Sequence, residues 1–409
     1  MRPNRQGGRF AVLWILPLAL CCLAAYRSVA LAVADYDYAE NTLASVRRAV
    51  AIAPTNALYH AMMAEHMEGV GLNPDAELQA AIQLSPLDSK YWIRAGFRAE
   101  VEHDYPKAER YLLHAAEIDH KFDPRSALMN FYFRRNNVPE FWRWTDKAFE
   151  LSYSDPTPMF QLMWNVTSDA EEIRKHIPAH ADIEIPYLWF LINNQRPDAS
   201  TEVARDAADK ARTDDEATAL LGWWEHLYPI DGVSAAYVWN KLCARHLLPF
   251  AVLNPAEGRI VANGDFSVTP LQRGSDWRLT SADGASVQPD IAAHELDIRL
   301  SGKQAEELVL AEQWMPVDPD RRYRIRSEYR LSPGARTAGI GWIVSGAKGE
   351  VLGRSEEFSP GADWMQAEME FGSAANRYVR LSLLYKRPIG SMRAEGNVAI
   401  RNVKSEAVQ

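Results

Sequence analysis

The stretch that decides the fold runs from Pro86 to Asp119, PLDSKYWIRAGFRAEVEHDYPKAERYLLHAAEID. It reads as a hairpin of two helices. Gly96 and Ala108 are small where the two helices cross closely, and Trp92 and Tyr105 are large where successive layers leave space. Pro86, with its fixed φ, sets the turn before the first helix. A single hairpin cannot bury its own apolar face, so about three or more stacked neighbours are required.

Such neighbours are present on both sides. The segments RRAVAIAP, QAAIQLSP, HAAEIDH and DKAFELSYSDP place Ala49, Ala81, Ala116 and Ala148 in equivalent positions, at intervals of 32, 35 and 32 residues. This is the period of a helix-turn-helix repeat. The pattern resembles the tetratricopeptide repeat (TPR): Trp92, Gly96, Tyr105, Ala108 and Ala115 stand where that family places Trp, Gly, Tyr, Ala and Ala. There are departures. His120 occupies a proline position with Pro124 arriving late, and His60 takes the tryptophan place in the copy after Pro54, which leaves the repeat boundaries open but not the hairpin. From about Pro156 to Phe250 the pattern degrades, yet ASTEVARDAADKAR, DDEATALLGWWEHL and VSAAYVWNKLCARHL keep apolar residues three and four apart. Two to three divergent hairpins are expected there, so that residues 35–250 form one TPR-like α-solenoid.

Upstream, Arg2, Arg5 and Arg9 precede FAVLWILPLALCCLAAY, Phe10 to Tyr26, seventeen residues without a charge. After Arg27 the apolar run resumes to Ala34. That length suits a short membrane span and exceeds most secretory h-regions, so residues 1–34 are expected to be a signal anchor. The arginine excess before the run puts the amino terminus in the cytoplasm and the rest outside. A cleaved signal is the alternative, because Ala32-Val33-Ala34 forms an A-x-A site before Asp35. Either reading exports the chain.

Past LLPFAVLNPAEG the period changes from helical to two. ELDIRLSG, ELVLAEQWMPV, RRYRIRSEYRL, AGIGWIVSG, DWMQAEMEF, YVRLSLLYKR and GNVAIRNVKS are alternating or apolar runs broken by turn signals such as DPDR, SPGA and SGAKGE. Seven or eight strands at this spacing predict an all-β sandwich over residues 258–409. The order of features, an opening NGDFS, the strand WRL, the corner QWMPVDPDRRYR and a closing GNVAIRNV, resembles the galactose-binding-like jelly rolls that include many carbohydrate-binding modules. The fold class is thus multidomain, α plus β: a membrane helix, a solenoid and a jelly roll.

Composition and motifs exclude several functions. A formal charge of -9 without a basic cluster removes the footprint of a nucleic-acid binder. Two of the three cysteines, Cys21 and Cys22, lie in the first apolar run, leaving Cys243 alone, so neither a disulfide nor a thiolate zinc site can form in the rest of the chain. No G-x-S-x-G, phosphate-loop or H-E-x-x-H motif occurs. The neighbouring acids Glu306/Glu307 and Glu356/Glu357 point to opposite faces if on strands. No cofactor, metal or catalytic residue is expected, although the jelly-roll resemblance implies calcium as a role for Asn263 and Asp265 against the simpler reading of a solvated turn.

Binding residues remain. Trp277, Trp314, Trp364 and Tyr385 are candidate platforms for a sugar ring, with Arg387, Arg393, Asp276 and Asn397 as polar contacts to its hydroxyls. Core filling is the competing reading for each aromatic, most of all for Trp342. On the repeats, NFYFRRNNVPEFWRW offers Arg134, Arg135, Arg143 and Trp142 as candidates for an extended peptide. The combined order of parts resembles bacterial envelope proteins found with exopolysaccharide or O-antigen polymerisation systems. That resemblance implies a noncatalytic scaffold, single-pass in the bacterial inner membrane with its soluble part in the periplasm, binding a protein through the solenoid and offering the sandwich to polysaccharide. A glycan-active enzyme with an accessory sandwich and a structural adaptor that binds no sugar are the alternatives; the former needs paired acids, of which only Asp182 and Glu184 lie close in the helical half.

Overall fold

The computed structural model describes residues 7–151, 155–228, 231–332 and 339–408. They form two compact units, Met1–Ser154 and Asp155–Gln409.

The first unit holds helices α1 (Gly7–Ala39), α2 (Leu43–Ile52), α3 (Ala57–Gly69), α4 (Asp75–Leu84), α5 (Ser89–Val101), α6 (Tyr105–Ile118), α7 (Phe122–Arg134) and α8 (Val138–Phe149). Side-chain caps start most of them: Thr42, Asn56, Asp88, Asp104 and Asn137 each accept a backbone N–H from the first turn that follows. Close packing between hairpin partners rests on small residues. A Cβ at Gly96 would lie 2.7 Å from Leu112 Cγ. Ala49, Ala81, Ala115 and Ala148, one per repeat, are fully buried. The third of these corrects the repeat register: Ala115, not Ala116, faces the core. Trp92 is half-buried between layers, donating its indole N–H to the Pro86 carbonyl at 2.8 Å and meeting the edge of His114 at 4.4 Å.

Residue 34 is not a structural boundary, because α1 runs through it unbroken. Ala34 is buried with Ala49, Ala53 and Tyr59. Tyr59 donates its hydroxyl to the Asp35 carboxylate, and Arg48 pairs with Asp37 at 2.6 Å. The last turns of α1 thus act as the first helix of the repeat stack. By length and composition α1 can cross a membrane, and no other helix among the described residues passes that test.

The second unit opens with α9 (Thr157–Thr167), α10 (Ala170–Lys175), α11 (Ala181–Asn193), α12 (Pro197–Lys210), α13 (Asp214–Leu227) and α14 (Gly232–Ala244). Two antiparallel five-stranded sheets follow. Sheet order is β1-β4-β9-β6-β7 in one and β2-β3-β10-β5-β8 in the other. The strands are β1 (Arg278–Leu279), β2 (Ala285–Asp290), β3 (Glu295–Ser301), β4 (Glu307–Pro316), β5 (Arg322–Leu331), β6 (Ile340–Ser345), β7 (Val351–Arg354), β8 (Met365–Gly372), β9 (Tyr378–Lys386) and β10 (Glu395–Val408). The period of two is explicit in β5, where Tyr323, Ile325, Ser327, Tyr329 and Leu331 are buried and the intervening residues are not. Trp277, Trp342, Ile298, Ile325 and Leu381 belong to one core between the sheets.

The last two helices of this unit, α13 and α14, pack on the first sheet. Tyr228 packs against Trp314 with ring centroids 4.4 Å apart and the rings tilted by 41°, and Trp224 meets Tyr378 at 5.8 Å. Glu225 accepts the Gly274 N–H at 2.9 Å and pairs with Arg278 at 2.6 Å. This packing explains why α9–α14 share a unit with the sandwich.

Candidate binding surfaces

On the repeat unit, the carboxyl-terminal ends of α5 and α7 and the start of α6 enclose a groove of about 530 Å³, lined by Phe97, Glu100, Val101, His103, Tyr105, Arg134 and Arg135. Its apolar wall is exposed, Phe97 to 42% and Val101 to 66%. The two arginines differ. Arg134 is clamped by Glu100 in a two-point contact, 2.7 Å at each oxygen. Arg135 lies over the Tyr105 ring at 3.5 Å and makes no ion pair among the described residues. Stacking fixes the guanidinium plane while leaving its N–H donors for a ligand. Arg143 and Trp142 are not in this groove: on α8, Arg143 pairs with Glu140 at 3.3 Å and Trp142 sits edge-on to Phe141 at 5.0 Å. Phe97 and Val101, missed in the sequence, are four apart on the α5 face turned away from the buried Tyr91, Ala95 and Ala99. That second apolar stripe was the available signal.

The sandwich candidates scatter, and three of them are corrected outright. Trp277, Tyr385 and Asp276 are fully buried. The Trp277 indole donates to the Asn263 carbonyl at 3.1 Å, and the Tyr385 hydroxyl accepts the Ala394 N–H at 3.1 Å. The Asp276 carboxylate accepts the Leu271 N–H at 2.7 Å, and burial pushes its pKa up to about 6. None of these can touch a sugar. Trp314 is covered by Tyr228, so it packs helix against sheet instead of forming a platform. Trp364 is half-buried with Arg401 over its ring at 3.9 Å and Arg330 at 4.7 Å. Asn397 is exposed on β10, in the other sheet from β9 and its Arg387 end.

Arg387 and Arg393 both reach Glu306, at 2.9 and 3.8 Å. Arg387 also borders a cavity of about 200 Å³ with Arg354, Glu357, Lys386, Ile389 and Gly341. Glu357 accepts the Gly339 N–H at 2.9 Å, while Arg354 has no ion-pair partner among the described residues. Trp342 is buried beneath it, as core filling requires.

Other candidate chemistry is absorbed by structure. Asn263 bonds Val268 from both ends of its side-chain amide, and Asp265 accepts from Ser267, which makes a turn. No group of three or more potential metal ligands occurs among the described residues. Glu184 is buried and paired with Lys210 at 2.5 Å, its pKa raised by burial against the pull of that lysine, whereas Asp182 is exposed. Burial also pushes the Cys243 thiol up to about 12.

The fold is thus TPR-like helical hairpins followed by an antiparallel β-sandwich of two five-stranded sheets. No family model and no curated protein matches the chain. Among solved structures it is similar to a carbohydrate-binding module of type CBM4, at 15% identity and a TM-score of 0.28, over 36% of this chain and 98% of that one. It is also similar to YrrB, described as a TPR protein with an unusual peptide-binding site, at 17% identity and a TM-score of 0.27, over 40% and 91% of the two chains. A third is PilF of Pseudomonas aeruginosa, at 13% identity and a TM-score of 0.26, over 54% and 90%.

Proposed function

We propose that this protein is a noncatalytic scaffold, anchored by α1 in the bacterial inner membrane with its soluble part in the periplasm. The solenoid, residues 35–250, recruits a protein partner, and the sandwich, residues 258–409, faces polysaccharide during its synthesis or export. The observation that carries the reading is the groove on α5–α7, where exposed Phe97 and Val101 adjoin an Arg135 guanidinium held flat on Tyr105 with its donors unclaimed. Such a surface suits an extended segment that places an apolar side chain beside a carboxylate. The glycan reading rests on Arg354 and Glu357 around the cavity at the end of β9, where a charged pair can grip hydroxyls or an acidic sugar. Retention of the anchor is supported by Ala34, which is helical and buried where a signal peptidase would need an open, extended chain.

The test is peptide-library selection on the full-length protein, followed by Arg135→Ala and Val101→Ser variants. Enriched peptides should be acidic and apolar, and each variant should weaken them about tenfold, the value of one charged hydrogen bond or one buried aliphatic side chain. Selection of no peptide, or of peptides indifferent to both variants, removes the groove as the recruiting surface. Affinity electrophoresis with Arg354→Ala addresses the sandwich, and absence of retardation on every polysaccharide leaves the adaptor reading.

A further inference from the structure

α1 joins an apolar surface to the base of the repeat unit with no chain between them. Leu18, Leu20, Leu23, Val29 and Val33 are exposed, whereas Ala34 is fully buried against α2. If the hydrocarbon begins at Phe10, about twenty residues fill its ~30 Å and end near Val29. At ~1.5 Å per residue Ala34 then stands only about 7 Å beyond the hydrocarbon edge, within the headgroup layer.

Helix direction decides which end of the unit meets that layer. α1 leads away from the bilayer, α2 returns, α3 leads away, α4 returns and α5 leads away, each packed on the one before. The connections at residues 53–56 and 85–88 therefore lie at the membrane end, and those at 70–74 and 102–104 at the far end. The membrane end carries exposed leucines: Leu58 in the first turn of α3, Leu84 closing α4, and Leu87, 78% exposed, at the tip of the next turn. Lys90 is exposed beside them. Next to these leucines Asp88 accepts the Lys90 N–H at 3.1 Å and Asp119 accepts the Ser89 hydroxyl at 2.6 Å, while the exposed acids of this end, Glu117, Asp123 and Glu150, lie on α6–α8, beyond the leucine tips. Apolar tips with a basic neighbour are the chemistry of a membrane interface.

We propose that the base of the repeat unit is seated in the headgroup layer of an anionic phospholipid bilayer, with Leu58, Leu84 and Leu87 immersed and Lys90 on lipid phosphate. The anchor is then a stiff post, and the groove at Val101 and Arg135 is held at the end away from the membrane. This inference rests on the reading of α1 as a retained anchor.

The test uses full-length protein with Cys21 and Cys22 replaced by serine, reconstituted in phosphatidylethanolamine–phosphatidylglycerol vesicles. An environment-sensitive fluorophore is placed by Leu20→Cys, Leu87→Cys or Val101→Cys, and quenched by headgroup- and acyl-borne nitroxides. Position 87 should be blue-shifted and quenched at least threefold more by headgroup nitroxide than position 101. Equal, water-like signals at 87 and 101 with position 20 quenched in the acyl region overturn the seating alone; a water-like signal at position 20 overturns the anchor as well. Leu87→Glu, too exposed to unfold the unit, should at least halve the quenching of a label at Leu58→Cys, and unchanged quenching counts against the seating.

Discussion

Gly96→Ala probes the hairpin packing because two effects of known size oppose each other there. In an isolated helix the substitution stabilises by about 1 kcal/mol, since alanine loses less backbone entropy than glycine. In α5 the new Cβ would lie 2.7 Å from both Cγ and Cδ2 of Leu112, about 1 Å inside ordinary carbon contact. Leu112 is fully buried, and its Cγ cannot swing clear by a change at the tip of the side chain. Overpacking of this kind costs about 1–3 kcal/mol, so the net expectation is a loss of about 1 kcal/mol. Gly69→Ala in α3 is the control: nothing lies within 4 Å of its added Cβ, and the position carries no positive φ. It should gain about 0.5 kcal/mol, reduced from the full propensity because the residue ends its helix. The chain has two compact units, so a single melting curve is ambiguous. Amide hydrogen exchange resolved to α3, α5 and α6 is the suitable assay, with protection in α5 and α6 falling about fivefold for Gly96→Ala and protection in α3 rising about twofold for Gly69→Ala. In a Leu112→Ala background the clash is gone, and Gly96→Ala should become neutral or favourable. Equal gains in protection from both glycine substitutions would show that the helices are not in close contact at Gly96.

Asp276 gives a pH prediction. Its folded pKa of about 6 lies above the ordinary 3.8 because of burial, so the folded state holds the proton longer than the unfolded state. Its effect on stability is therefore most favourable below about pH 4 and is lost as pH rises through 6, by about 3 kcal/mol at the full shift. Asp276→Asn should raise stability at pH 7.5 and flatten the profile between pH 4 and 6; a variant less stable at neutral pH would contradict this. Trp314→Ala should destabilise the second unit by about 3 kcal/mol, because the indole fills the space between Tyr228 and the sheet, and chemical denaturation would show it. Trp364→Ala removes only cation–π contacts at a half-exposed ring, for about 1 kcal/mol. Similar losses from the two tryptophans would mean that the helix–sheet contact is weak.

The solenoid and the sandwich were legible for different reasons. Helical hairpins announce themselves through size constraints that recur, and the buried Ala49, Ala81, Ala115 and Ala148 show how tightly a crossing restricts a position. The slip to Ala116 arose because two alanines are adjacent there, and only burial separates them. All seven alternating runs became strands and the WRL segment became β1, whereas β2 and β7 were missed. β7 has four residues and β2 contains Pro289, too little for a period of two to register.

The candidate binding residues were much less legible, because a tryptophan has the same letter whether it stacks on a ligand or on its own chain. Trp277 and Trp314 show both ways of satisfying an indole internally. The first is enclosed between two sheets with its N–H bound, and the second is covered by Tyr228 from a helix some eighty residues upstream in sequence. Neither pairing leaves a local pattern. Arginine carries more information, since a guanidinium is rarely placed for packing alone, yet Arg134 and Arg135 are adjacent and only one of them is free. Their difference is set by Glu100 and Tyr105, at distances of 34 and 30 residues along the chain, close to one repeat period. The repeat that made the fold readable is also what brings a neutralising acid to Arg134 and a stacking ring to Arg135, and so decides which of the two cations keeps its charge unpaired.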